Sequence, residues 1–503
     1  MTAPAAARRR LSEAALAGLP REVRRPGYDR RALATGIVHL GIGAFHRAHQ
    51  AWYVERSLEE AGFGPWGICG VSLRHADMQA RLAPQDGLYA LATRHEERTE
   101  WRVIGAVHEV LVGPQDVEAV LARLTAPSTR IVSLTVTEKG YCLGADHRLA
   151  ADHPDIRHDL EAPEAPRSAP GYLVAALARI RAAGGTPPTI LSCDNLPSNG
   201  RTLKQAVVDL AALRGDDGLA SWIERSVAMP CSMVDRIVPA SSDADRAEAQ
   251  AALGGVADEA VVTAEPFSQW VLERNFGGPM PDLAAVGVEL VGEVAPYERM
   301  KLRLLNGSHS AIAYLGQLAG LEHVADVMAD PALCAYVERL MAEIADAVPG
   351  IDPARIAEYR ASLLARWRNP AIRHRTAQIA MDGSQKIPQR WIATLTALRQ
   401  EGRRTPGLAF ALAGWFRYLG GVGEQGSIAI AADPMAGALT ALCRPEAGSG
   451  PQDRVVTAMF DRSGLFPPAL AQDRALRGAV AAALAAIADR GVREAARSLY
   501  WSS

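Results

Sequence analysis

Apolar positions in the first third of the chain fall into short runs that end at glycines or polar turns, separated by segments with helical spacing. Residues 35–42 (TGIVHLGI) form an apolar run entering glycines, the pattern of a buried strand. A helix is predicted from Arg47 to Gly62, ended by Gly62 and Gly64, and residues 66–73 (WGICGVSL) give a second buried strand. Further strands are predicted at 101–107 (WRVIGAV), 130–137 (RIVSLTVT) and 188–193 (PTILSC), with helices at 115–125 and 171–183. This alternation predicts an α/β unit with a largely parallel sheet and helices on both faces. The stretch 161–170 (EAPEAPRSAP) reads as a surface loop.

Beyond about residue 295 the pattern changes. Helical periodicity dominates 297–319, 332–347, 353–367, 388–402, 405–418 and 473–490, and strand-like runs nearly vanish. The boundary is placed near residue 290, giving an α/β unit over 1–290 and a mainly α-helical unit over 291–503. A length of 503 residues agrees with two or more domains.

Composition narrows the function classes. Lys+Arg 54 against Asp+Glu 56 leaves a net charge of -2, which argues against a protein that works by bulk positive charge on nucleic acid or membrane surfaces. The six cysteines, Cys69, Cys142, Cys193, Cys231, Cys334 and Cys443, form no CxxC pair, so a zinc knuckle and a disulfide framework are both unexpected. No apolar stretch reaches the roughly 18 residues of a membrane span, and the basic N-terminal cluster has no apolar run behind it. The expectation is a soluble cytoplasmic protein, a monomer or small homo-oligomer, acting on a small molecule.

Two constellations carry chemistry. Gly41-Ile42-Gly43 closes a buried strand and opens a helix, with Ala44 and Phe45 following. There the first glycine permits a tight turn and the second lets backbone approach a pyrophosphate, although the third glycine of GxGxxG is missing. Asp77, after the second strand, is placed to accept ribose hydroxyls, and nearby Arg74 is the alternative partner for a 2′-phosphate. The second constellation opens the helical unit: Lys301, Asn306 and His309. On an α-helix Asn306 lies about 140° and His309 about 80° around from Lys301, so all three project from one side. Oxidising an alcohol by hydride transfer needs a base for the hydroxyl proton and a donor for the developing oxyanion. A buried lysine can serve as the first and an asparagine amide as the second. Asn195, in the loop 193–200 after a predicted strand, offers another amide.

Rival motifs are weaker. His46 and His49 have metal-pair spacing, but no carboxylate or cysteine completes a set locally. The tract 146–159, with His147, His153 and His158 among aspartates, reads as a solvated loop. No metal is expected.

The blocks GIGAFHRAHQ (41–50), SLTVTEKGYC (133–142), SCDNLPSNG (192–200), MVDRIVP (233–239), EPFSQWVLE (265–273) and KLRLLNGSHSAIAYLG (301–316) together resemble the mannitol dehydrogenase family. These are the polyol-specific long-chain dehydrogenases, and the likeness runs from about 34 to 498. The resemblance implies a Rossmann-type N-terminal domain binding NAD, a mainly helical C-terminal domain and a site in the cleft. It implies Lys301 as general base, Asn195 and Asn306 at the oxyanion, His309 orienting substrate and Asp235 supporting the polar site. It further implies Glu298 in proton exit, Lys386 on substrate and Asp77 favouring NAD over NADP.

Within the family, 372–391 and 414–426 look more like mannonate oxidoreductases. Arg373, Arg375, Lys386 and Arg390 crowd one stretch and suit a carboxylate. Gln378 stands where mannitol enzymes tend to have arginine. The leading expectation is an NAD-dependent oxidoreductase interconverting D-mannonate and D-fructuronate. The alternatives are a D-mannitol or D-arabinitol 2-dehydrogenase and, more remotely, a non-catalytic nucleotide-binding sensor.

Overall fold

A computed structural model describes residues 9–61, 64–144, 146–444 and 451–499. Residue contacts divide the chain into two compact units, Met1–Ala295 and Pro296–Ser503.

The first unit is built on five parallel strands. From edge to edge they run Val107–Val112, Gly67–Ser72, Thr35–Leu40, Ile131–Leu134 and Thr189–Ser192. Chain order therefore reverses beside the central strand, between Leu40 and Leu134, which pair directly. Alternate side chains of Thr35–Leu40 feed two cores. Val38 and Leu40 pack with Cys69, Val71, Val132 and Leu134 beneath the helices Val117–Thr125, Ala169–Ala182 and Asn199–Leu213. Ile37 packs on the opposite face with Ile68, Ile131, Val54 and Leu58. Burial on both faces explains why these strands read as continuous apolar runs.

Three sequence expectations need correction here. The strand expected at 101–107 is two strands in different sheets. Thr99–Ile104 pairs antiparallel with Tyr89–Arg94, whereas Val107–Val112 joins the parallel sheet. Gly105 and Ala106 between them donate their N–H groups to the buried Glu55 carboxylate, and that turn separates the strands. The helix expected from 47 begins at Ala44, breaks at His49 and resumes over Gln50–Ala61, while its expected end at Gly62 lies outside the described residues. The histidine tract is a solvated loop only in its first half, where Asp146, His147, Arg148 and Asp152 are exposed. Pro154–Glu161 is a helix, and Asp159 is fully buried, accepting from Arg167 N and from Ser168 N and Oγ. Those bonds also bury the end of the 161–170 loop, where Ser168 caps the next helix.

The second unit is helical. Its central helix, Pro406–Leu419, is apolar nearly all round and buried along most of its length. The helix expected over 297–319 is three segments: α-helix Ala295–Met300, a π-helix Lys301–Gly307 and α-helix Ser308–Leu318. The helix expected at 388–402 likewise begins as a π-helix, Pro388–Ile392, before Ala393–Gln400. Pro388 has no N–H for the preceding helix Gly383–Ile387, so the ladder opens at that point. The final helix, Arg474–Arg497, kinks at Gly491, where φ is +78°. Among the described residues no helix is long and apolar enough to cross a membrane.

Gly41 combines a positive φ with a close backbone approach. Its φ is +101°, and a side chain there would stand 2.1 Å from the Thr135 carbonyl oxygen. Gly43 has φ -79° and open space beside it. Gly41→Ala should therefore lose about 1–3 kcal/mol from backbone strain alone, with more from the clash, while Gly43→Ala should leave stability nearly unchanged. Denaturant midpoints of the two variants check this directly.

Candidate active site

In the first unit the strand ends converge on a pocket of about 410 Å³. Gly41, Ile42, Gly43, Leu73, Arg74, Asp77, Thr135 and Val136 are among the residues that line it. It lies at the reversal of strand order, beyond the carboxyl ends of the strands, where doubly wound sheets bind ligands. Gly43 N donates to Gly41 O at 2.7 Å, which tightens the turn. Thr135 Oγ1 donates to the same carbonyl at 2.9 Å, and buried His39 bridges Thr135 and Ser133 at 2.8 Å each. The glycine turn is thus pinned from the neighbouring strand.

Four of the six predicted cofactor residues line this pocket: Gly41, Ile42, Gly43 and Asp77. Ala44 and Phe45 are not among its lining residues, and Phe45 stacks on His49 instead. Asp77 is exposed in the first turn of the helix Asp77–Leu82, while Arg74 pairs with Asp155 at 3.2 Å. An exposed carboxylate beside an arginine already engaged by another carboxylate favours hydroxyls over a phosphate. The sequence reading missed Thr135 and Val136 as lining groups, although their position at the end of the fourth strand marks them.

Asn195 sits on a loop held from both sides. Asp194 accepts from Val136 N, Thr137 N and Tyr141 Oη at 2.8–3.0 Å, and burial pushes its carboxyl up to about 6. Asn199 donates to Ser192 O, Asp194 O and Ser232 O and accepts from Ser232 N. Asn195 itself is exposed at the loop's crest, and Asp235 is buried at the end of the strand Ser232–Asp235. Cys142, His153 and Asp155 bring possible ligand atoms within 4.8 Å of one another. The Cys142 thiol is pushed up to about 12 by burial, and Asp155 is engaged with Arg74, so the trio is poorly suited to a cation.

In the second unit Lys301, Asn306 and Gly307 lie in the π-helix and His309 on the α-helix that follows. The wider i→i+5 turn means the α-helical angles used for this trio do not apply. The second π-helix braces the first. Arg390 Nη1 donates to Asn306 O at 3.2 Å and to Ser310 Oγ at 2.9 Å, and Trp391 Nε1 donates to Gly307 O at 2.9 Å. Part of the Arg390 guanidinium is therefore committed to holding backbone. Lys386 donates to Met381 O at 2.6 Å, and Glu298 and Lys301 are half-buried. Arg373 and Arg375 are exposed, and Arg375 pairs with Glu322 at 3.0 Å, so the basic stretch does not act as one cluster.

His309 is 6% exposed and its ring lies 5.1 Å from Trp367 and 5.5 Å from His374. Burial holds it well below the usual histidine range, and His374, Arg366 and Arg390 lower it further. Burial, with Lys386 adding, lowers His374 to about 4. Asn306 Nδ2, His309 Nε2, Trp367 Nε1 and His374 Nδ1 are buried without hydrogen-bond partners. Nothing in the sequence pattern singled out Trp367, since it falls on an ordinary amphipathic helix.

This is the architecture of a dehydrogenase: a dinucleotide-type pocket on a parallel sheet, and a helical unit carrying a lysine, an asparagine and a neutral histidine. Family models described as the mannitol dehydrogenase Rossmann domain and C-terminal domain match residues 35–285 and 293–488. The D-mannonate oxidoreductase of Escherichia coli is 44% identical over 95% of this chain and 98% of its own. Mannitol dehydrogenase 2 of Saccharomyces cerevisiae is 41% identical over 93% and 92%. The Pseudomonas fluorescens mannitol 2-dehydrogenase, solved in a ternary complex with NAD and D-mannitol, is 37% identical. It superposes with a TM-score of 0.85 over 97% of this chain and 99% of that one. The chain belongs to the mannitol dehydrogenase family and is an oxidoreductase, so the reading as a non-catalytic sensor falls away.

His309 and His374 contribute to an acid limit on stability, together with His39, His46 and His108, which burial also lowers. Their folded pKa lies below the ordinary 6.5, so the unfolded chain binds the proton that the fold refuses. The stability they contribute is complete above pH 6.5 and is lost as pH falls toward about 4 for His374. Melting temperature followed from pH 7.5 to 4 should drop across this window, and His374→Asn should make the drop shallower.

Proposed function

We propose that this enzyme interconverts D-mannonate and D-fructuronate with NAD as cofactor. The observation that carries the acid over the polyol is the electrostatics around His309. The permanent charges acting on it and on His374 are positive: Arg366 and Arg390 on His309, and Lys386 on His374. A uronate brings the negative charge that such surroundings favour. The second reading, a D-mannitol or D-arabinitol 2-dehydrogenase, is supported by the likeness to the structure containing D-mannitol.

Gly41, Ile42, Gly43 and Asp77 are the residues that would hold the cofactor: the backbone at Gly41 has no room for a side chain, and the adjoining pocket accepts a nucleotide moiety. Bound NAD supplies the hydride acceptor for oxidation and, reduced, the donor for the reverse. Lys301 takes the hydroxyl proton as a neutral amine and returns it as an ammonium. Asn306 and Asn195 give amide N–H groups to the oxygen that gains negative charge. His309, neutral, orients a substrate hydroxyl. Asp235 supports the polar site, Glu298 passes the proton outward, Lys386 meets substrate, and Arg390 adds charge while it braces Asn306. The protein acts on a small molecule, in the cytoplasm, as a monomer or small homo-oligomer; all six cysteines are free.

Lys301→Ala should lower turnover by about 10²–10⁴-fold, the usual contribution of a general acid–base group, with NAD binding little changed. Oxidation by the parent enzyme should rise with pH while reduction falls, and Lys301→Ala should abolish both trends. Asp77→Ala should lose NAD affinity and gain relative use of NADP in steady-state assays. Initial rates on mannonate, mannitol and arabinitol test the substrate: comparable turnover of fructose and fructuronate would overturn the acid and favour the polyol.

A further inference from the structure

Besides Arg299 Nε, Ser308 Oγ and Arg360 Nε, the second unit buries two unpartnered ring nitrogens, of Trp367 and His374, that have no task in the reaction as assigned. Both rings pack against the His309 ring, and Trp367 Nε1 and His374 Nδ1 meet no hydrogen-bond partner, the same condition as His309 Nε2 and Asn306 Nδ2. Folded interiors pair nearly all buried polar groups, because a donor without an acceptor keeps its full desolvation cost. Four such groups on one helix and the rings beside it point to acceptors that arrive with a ligand rich in oxygen.

Trp367 is held by burial, and His374 is anchored through its backbone. Trp367 is 1% exposed on the helix Pro353–Arg368. His374 is fixed through its backbone: its carbonyl accepts from Val324 N at 3.0 Å and its N–H donates to Ile372 O at 2.9 Å. Next to it, Arg375 bridges to His323. A fixed indole and a fixed neutral imidazole are preorganised donors, which lose little entropy on binding. Lys386 is the charge that acts on His374, whereas Arg366 and Arg390 act on His309. An anionic group placed beside the His374 ring would also meet the charge of Lys386.

We propose that Trp367 and His374 are substrate-binding residues: Trp367 holds a hydroxyl of the sugar chain, and His374 donates to the carboxylate. The assignment of His374 to the acid rests on the uronate reading above, and that of Trp367 does not.

The test is steady-state reduction of fructuronate and of fructose by Trp367→Phe, His374→Ala and His374→Asn, with NADH affinity and melting temperature followed in each. Trp367→Phe keeps the ring and removes the N–H, and should raise KM about tenfold for either sugar. His374→Ala should lower kcat/KM for fructuronate by about tenfold to a hundredfold and for fructose much less. His374→Asn, whose amide can stand in for Nδ1, should recover part of the loss. NADH affinity should stay at the parental value in all three. Equal losses on acid and ketose in His374→Ala, or no recovery in His374→Asn, overturn the role of His374. An unchanged KM in Trp367→Phe overturns that of Trp367. A parent enzyme that rejects fructuronate but accepts fructose overturns the acid reading and with it His374's carboxylate, while Trp367 is still judged by its KM for fructose.

Discussion

Gly41 turns where any side chain would collide with the carbonyl of Thr135, and much of the first unit is arranged around that approach. The two residues end adjacent parallel strands at the point where strand order reverses. Thr135 ties back to Gly41 through its hydroxyl, and His39 secures Thr135 from beneath. A single strand end thus opens the pocket and sets its floor. The loop carrying Asn195 is bound into the same corner by Asp194, which holds the Val136 and Thr137 amides.

The second unit solves a different problem. The lysine proposed as base and the asparagine proposed as donor are carried on a turn wider than an α-helix allows. Such a turn needs support from outside its own ladder, because i→i+5 hydrogen bonding is rarely sustained. Arg390 and Trp391 give that support from a second wide turn opened by Pro388. Each irregular segment is thereby explained by the other.

Much of this was legible in the sequence, and what was hidden has physical causes. Runs such as TGIVHLGI and RIVSLTVT announced buried parallel strands because both their faces are covered. The 101–107 strand was misplaced because apolar periodicity does not reveal a sharp turn held by a distant carboxylate, here Glu55. Helix type was also invisible: Lys301–Gly307 has the composition of an α-helix, and only its packing against Arg390 and Trp391 distinguishes it. Charged residues were the least predictable. Arg373 and Arg375 looked like ligand groups and face solvent, whereas Arg366, which no motif singled out, is buried. A side chain's exposure depends on the partner element, which the local sequence does not contain.

The bracing of one wide turn by the other has a consequence for how such an enzyme can diversify. Arg390 and Trp391 hold the carbonyls of the turn that carries Lys301, so a change at either position disturbs that turn directly. Trp367 and His374 stand on a separate helix and a separately anchored loop, with no hydrogen bond from their side chains into that brace. On the proposed assignment, the sugar-reading positions Trp367 and His374 can change without removing a hydrogen bond of that brace, and they touch the site instead through their ring packing on His309.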